Sequence, residues 1–159
     1  NVGTFEDHEA LAAAITQVGV DVYLNPPEVC DRDIAGAYIS QVGALVICQD
    51  NAKPGDEQAD WTDNDLDTLR HEAQHLIQDC VDGKRGDNEL APLLGTEDET
   101  LQVVTEILPQ NQIERIITTY TLGGSDRETI VMELEAFTVA AAVPANAIAN
   151  EVIAQCSAN

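Results

Sequence analysis

The chain has 159 residues, 44% of them hydrophobic and 23% charged, which suits one domain with a core of its own and leaves no room for a second full one. Seven Lys+Arg against 29 Asp+Glu give a formal charge of −22, so the surface repels phosphate backbones and anionic headgroups, and nucleic acid and acidic membranes are poor partners. The acidic residues are spread along the whole sequence, the pattern of a solvated acidic surface. No apolar run reaches the ~18 residues of a membrane span; the nearest, from Thr138 to Ala149, is interrupted by Pro144 and Asn146, and no membrane insertion is expected. The sequence does not open on Met or on a basic start followed by an apolar stretch, so an export signal is expected to be either absent or already removed.

Thr4 and Asp7 can cap a first helix over about 5–17, with Ala10, Leu11, Ala14, Ile15 and Val18 near helical spacing and Gly19 as its stop. Val20 to Leu24 alternates as a short strand and ends at Asn25-Pro26-Pro27. Ala35 to Ser40 and Ala44 to Cys48 flank Gly43 and read as a hairpin or a pair of neighbouring strands. Asn51 to Asp60 is a polar loop. Thr62 and Asp65 start a helix in which Leu66, Leu69, Ala73, Leu76, Ile77 and Cys80 recur until Gly83. After a charged loop through Asn88, helices are predicted near 96–107 and 110–120. Gly123-Gly124 is a break, Ser125 with Glu128 forms a capping box for a helix to about Val143, and Pro144 opens a last helix ending near Cys156. The predicted class is α+β, one domain over 1–159, in which 1–60 supplies a helix and a small mixed sheet and 61–159 is helical and carries the site.

Cys30, Cys48, Cys80 and Cys156 contain no C-x-x-C and do not resemble a zinc knuckle or a redox pair. Two readings stand: free buried thiols, or two disulfides, with Cys30–Cys48 and Cys80–Cys156 favoured because each pair joins neighbouring elements. Disulfides tilt the expected location toward a secreted or periplasmic protein.

The chemistry is concentrated in His71-Glu72-Ala73-Gln74-His75, an H-E-x-x-H pattern inside the helix that starts at Thr62. Positions four apart lie one above the other on a helix, so both imidazoles can reach one tetrahedral zinc, while Glu72 stands at the edge of that face, where a general base belongs. The apolar residues occupy the opposite side. That side is expected to pack on the sheet and first helix, with the histidines facing a cleft or the C-terminal helices. A catalytic zinc needs a third protein ligand. No histidine follows His75, and His8 reads as a surface residue of the first helix, which points to a carboxylate. In the helix after Ser125, Ile130, Leu134, Phe137 and Ala141 define the predicted buried face. Glu133 lies beside it next to Ala136 and Ala140, whereas Glu135 points the other way, so Glu133 is the better ligand.

With Leu69 to Gln78 reading L-R-H-E-A-Q-H-L-I-Q and Met132 to Ala140 reading M-E-L-E-A-F-T-V-A, the chain resembles the gluzincin metallopeptidases, above all their minimal forms, over about residues 35–143. The E-x-E-A segment is similar to that of prenyl-protein and antirepressor-cleaving zinc peptidases. The resemblance implies a zincin-like fold, the first Glu of E-x-x-A as ligand, which falls on Glu133, and an edge strand, here Ala44 to Cys48, that pairs with an extended peptide. Two departures stand out: Phe137 occupies the place where many relatives carry an Asp, and the interval from His75 to Glu133 is longer than in the smallest members.

The expectation is therefore a zinc-dependent peptidase acting on a peptide or protein substrate. His71, His75 and Glu133 hold one Zn²⁺, and Glu72 takes the proton of the attacking water and passes it to the leaving amine. Tyr120, Tyr38 and Arg127 are the candidates for stabilising the oxyanion. The alternative is a catalytically weak or inactive zinc-binding module of the same fold. Peptide deformylases also use H-E-x-x-H, but their Gly-Cys-Leu-Ser setting is not matched by Ile-Cys-Gln around Cys48.

Overall fold

The computed structural model describes residues 1–87 and 89–158. In chain order its elements are α1 (Phe5–Gln17), β1 (Asp21–Leu24), α2 (Pro27–Cys30), β2 (Gly36–Ile39), a 3-10 turn (Ser40–Val42), β3 (Ala44–Ile47), α3 (Asp63–Val81), α4 (Glu97–Ile107), α5 (Gln110–Leu122), α6 (Arg127–Ala142) and α7 (Ala145–Cys156). This is α+β, with a small three-stranded mixed sheet and a mainly helical remainder.

Threonine opens three of the helices. The hydroxyls of Thr4, Thr62 and Thr96 accept from the backbone N–H groups of Asp7, Asp65 and Glu99, whose carboxylates accept in return from the cap N–H. Each box satisfies two backbone donors and places acidic residues at the positive end of the helix. The helix after Gly124 departs from expectation. Its cap is Asp126, which accepts from Thr129 N–H, and not Ser125 with Glu128; aspartate is as good a cap as serine, so the start moves by one residue. The proline pair after β1 also does more than stop the strand, because Pro27 is the first residue of the short helix α2. Pro144 is the cap of α7 and stands just outside it.

The strand order is β1-β3-β2, with β1 parallel and β2 antiparallel to β3. Ala44–Ile47 is therefore the central strand, paired on both sides, and cannot be the free edge that the resemblance implied. The edge beside α3 is β2. All four residues of β3 are buried, as a strand covered on both faces requires. Cys48 N–H donates to Ala35 C=O. With Gly36 opposite Ile47 and Tyr38 opposite Leu45, antiparallel alternation turns the main-chain groups of Gly36 and Tyr38 away from β3, toward the open side.

The main core joins Leu11 and Ile15 of α1, Leu45 and Ile47 of β3, Leu69, Ala73, Leu76 and Ile77 of α3, and Ile148 and Val152 of α7. The apolar side of α3 thus meets the sheet and α1 as expected, and α7 covers it further. A smaller cluster of Val104, Leu108, Ile113, Ile116 and Leu134 joins α4 and α5 to α6. Because α6 lies between α3 on one side and α4 and α5 on the other, its buried face is wider than predicted. Val131, Met132, Leu134, Glu135, Ala136, Thr138, Val139 and Ala140 are buried, whereas Ile130 and Phe137 are half-buried and Ala141 is exposed.

His8 corrects a further expectation. It is 2% exposed, and its Nε2 accepts from Arg70 Nη1 at 2.7 Å while its Nδ1 donates to Thr4 C=O at 2.7 Å. Arg70 itself is buried and also donates to Ala140 C=O and to Asp67, so one guanidinium clips α1 and α6 to α3. A surface histidine was the wrong reading because its partner lies far along the chain, where helical periodicity carries no information.

All four cysteines are bridged, Cys30 to Cys48 and Cys80 to Cys156, as favoured above. The second bridge ties the C-terminal ends of α3 and α7 across a sequence separation of 76, against 18 for the first. Loop-closure entropy scales with that separation: opening Cys80–Cys156 is expected to cost about 4 kcal/mol and opening Cys30–Cys48 about 3 kcal/mol. Urea unfolding of the paired Cys→Ala variants checks both the size and the order.

Candidate metal centre and cleft

Every residue of α3 from Thr68 to Cys80 is buried, so its polar face is covered by protein. The cover is α6 on one side and β2 on the other. His71 and His75 both turn their Nε2 atoms to one carboxylate of α6, Glu133: His71 Nε2 stands 3.1 Å from Oε1 and His75 Nε2 stands 3.0 Å from Oε2. The side chain of Glu133 keeps 15% exposure, so the triad opens to solvent. Burial raises the pKa of Glu133, but the hydrogen bonds and charge of His71 and His75 outweigh it and hold the carboxyl well below the usual range. Burial lowers that of His75, yet the hydrogen bond and charge of Glu133 push it up to about 9.

The donor set fits a divalent metal. His71, His75 and Glu133 offer ligand atoms that all lie within 4.8 Å of one another. Tetrahedral donors at zinc bond lengths of about 2.0–2.2 Å stand roughly 3.3–3.6 Å apart, close to the 3.1 and 3.0 Å at which the two imidazoles meet Glu133. Two imidazoles and a carboxylate with one side open are the ligand chemistry of a catalytic zinc site.

Glu72 lies beside the triad and is 8% exposed. Burial raises its pKa, while His75, His71 and the Tyr38 backbone N–H pull it down and Glu133 pushes it up, with a net rise. Gly36 brings β2 close to it: a Cβ there would stand 2.6 Å from Thr68 Cγ2 and from Val46 C=O and 3.4 Å from Glu72 Cγ. The strand can lie this near the helix only with glycine at that position. The open space between them forms two adjoining clefts. One, of about 300 Å³, is lined by Tyr38, His75, Leu90, Tyr120 and Glu133 among others. The other, of about 330 Å³, is lined by Ile34, Asn64, Asp67, Thr68 and Phe137, and both share His71, Glu72, Gly36 and Tyr120.

The three oxyanion candidates are placed very differently. Tyr120, near the end of α5, donates to Glu133 Oε1 at 3.0 Å, and burial followed by the charge of Glu133 raises its pKa. Tyr38 lines the cleft, but its hydroxyl donates to Asp79 Oδ2 at 2.6 Å. Arg127 is exposed and pairs with Glu97 at the far end of α6. Phe137 packs edge-on against His71 with ring centroids 4.5 Å apart.

Two partners escaped the sequence reading: Asp79 accepts from Tyr38, Ser40 and Gly86, and Gln78 accepts from His75. Glu135, expected to point away from the buried face, is instead sealed in the interior, because Gln74, Gln78 and the Leu93–Leu94 backbone surround it. The only signal for Gln78 was its place three residues after His75, on the side of the helix expected to face a cleft or the C-terminal helices.

No family model, no curated protein and no solved structure matches the chain, so the site rests on its own geometry.

The ion pair sets a pH dependence for the metal-free protein. His75 is raised, so its contribution to stability is complete below about 6.5 and is lost as the pH rises through about 9; Glu133 is lowered, so its contribution holds above the ordinary glutamate range and is lost only in strong acid. Thermal unfolding of chelator-treated protein is expected to weaken between neutrality and pH 10, and Glu133→Gln should flatten that decline.

Proposed function

We propose that the chain is a zinc-dependent metallopeptidase of the gluzincin type with a zincin-like fold. The observation that carries this reading is the convergence of His71, His75 and Glu133 from two helices on one point of a cleft, with Glu72 alongside. These three would hold the ion. When bound there, zinc lowers the pKa of a water toward ~7 and polarises a carbonyl.

The remaining roles belong to the chain. Glu72, buried and less acidic than an exposed glutamate, accepts a proton at its carboxylate and returns it to the leaving amine. The outward main-chain groups of Gly36 and the C=O of Tyr38, whose N–H faces Glu72, offer an extended peptide a strand to pair with. Tyr120 is the best placed of the three donors to face a developing oxyanion, because its hydroxyl lies against Glu133 of the triad, whereas that of Tyr38 is turned to Asp79 and Arg127 pairs with Glu97. The acidic surface favours neutral or basic peptides. Among the described residues no helix is long and apolar enough to cross a membrane, and the two disulfides support an oxidising compartment outside the cytoplasm.

Zinc-loaded wild type is expected to cleave members of a diverse peptide library in a chelator-sensitive way. Glu72→Gln should lower turnover by about 10²-fold or more with its zinc content unchanged; a zinc-loaded variant that still turns over at the wild-type rate refutes the assigned role. Stoichiometric zinc without any cleavage leaves the binding module as the function. Tyr120→Phe is expected to lower kcat by about 10²-fold while peptide binding holds, and an unchanged kcat removes Tyr120 from the mechanism.

A further inference from the structure

Two residues beyond Glu133, the side chain of Glu135 is fully buried, and among the described residues it has no cation as a partner. It is surrounded by N–H donors instead. Its Oε1 accepts from Gln74 Nε2 at 2.7 Å, from Gln78 Nε2 at 3.1 Å and from Leu93 N–H at 3.1 Å, and its Oε2 accepts from Leu94 N–H at 2.9 Å. A buried carboxylate is costly unless such donors surround it, and a hydrophobic residue could fill the same space.

The consequence runs through Gln78. Its amide nitrogen donates both to Glu135 Oε1 and to Met132 C=O, the latter at 3.0 Å. Both partners are acceptors, so the NH₂ must face them and Gln78 Oε1 must face the other way, where it lies 2.8 Å from His75 Nδ1. An amide oxygen only accepts. His75 must therefore carry a proton on Nδ1, and the proton on Nε2, which faces Glu133 Oε2, is the one an ion would displace.

We propose that Glu135 and Gln78 are positioning residues of the metal centre: Glu135, together with Met132 C=O, fixes the orientation of the Gln78 amide, and Gln78 keeps the Nδ1 of His75 protonated so that Nε2 is the nitrogen that ligates. The proposal rests on His71, His75 and Glu133 being metal ligands. It gives this chain a support for the second histidine, in place of the carboxylate that Phe137 displaces. The same carboxylate pins the backbone of Leu93 and Leu94, so it also anchors the segment that brings Leu90 to the cleft wall.

The test compares zinc affinity by competition with a chromophoric chelator, the cobalt absorption spectrum, the Tm of the metal-free protein, and the slowly exchanging His75 Nδ1 proton by ¹⁵N-edited NMR. Glu135→Gln keeps the shape but weakens one of the two acceptors that orient the Gln78 amide, leaving Met132 C=O as the other; it is expected to weaken zinc by about 10-fold, as outer partners of ligating histidines do, and to speed exchange of the Nδ1 proton. Gln78→Leu removes the acceptor and should do the same. Gln78→Glu presents an oxygen to His75 whichever way it turns but loses both donations, so its Tm should fall while zinc affinity stays within about threefold of wild type. Wild-type affinity in Glu135→Gln and Gln78→Leu overturns the proposal, as does an equal loss of affinity in Gln78→Leu and Gln78→Glu that follows Tm. Should the wild type bind no zinc, the metal reading fails first, and the protected Nδ1 proton alone decides whether Gln78 holds His75.

Discussion

A helix buried on every side must find partners inside the protein for each polar side chain it carries, and α3 is buried from Thr68 to Cys80. Its backbone groups are satisfied along the helix, but His71, Gln74, His75 and Gln78 need acceptors from elsewhere. α6 supplies them with two carboxylates, Glu133 for the imidazoles and Glu135 for the amides. The backbone of α6 adds Met132 C=O for Gln78 and Ala140 C=O for Arg70. The contact between the two helices is thus a strip of paired polar groups whose register is fixed by hydrogen bonds. The opposite side of α3 is fixed by apolar packing against β3, α1 and α7.

The sheet matters to the site through its edge. Because β3 is paired on both sides, β2 is left to border α3, and Gly36 lets it come near Thr68 and Glu72. Asp79 then holds that edge in place by accepting from Tyr38 and Ser40 on the strand side and from Gly86 beyond the end of α3. One buried carboxylate on α3 thereby anchors the cleft wall, in the way that Glu135 on α6 anchors the segment carrying Leu90. Both walls of the cleft depend on interior carboxylates that do not themselves line it.

What was legible in the sequence is what depends on near neighbours in the chain. The caps at Thr4 and Thr62, the 3.6-residue recurrence from Leu66 to Cys80, and the i, i+4 placement of His71 and His75 are local, and each stands as expected. The wheel of α6 was readable only in part: Glu133 is half-buried, but Glu135, turned outward on the same wheel, is buried because α3 and the Leu93–Leu94 backbone cover it. Partners at long range were not readable. Nothing near His8 shows that a guanidinium 62 residues away fills its surroundings, and nothing in Ala44–Ile47 shows that β1 takes the place beside it which would have left it an edge. Gln74, Gln78 and Asp79 lie on the polar side of their helix, but which groups they pair with shows only once α6 and the sheet are placed.

The two histidines are held by different physics. The ring of His71 lies against Phe137 and against His75, with centroids 4.5 and 4.9 Å apart; such contacts fix the plane of an imidazole but do not choose which nitrogen carries the proton. Gln78 makes that choice for His75 alone. Orientation of the His71 Nε2 therefore falls to Glu133, whose Oε1 faces it and also accepts from Tyr120, while Oε2 faces His75. A single carboxylate, divided between two imidazoles and steadied by a phenol, keeps three donors aimed at one point. Glu135, two residues further along the same helix, has its oxygens filled by four N–H groups and has nothing left to offer an ion.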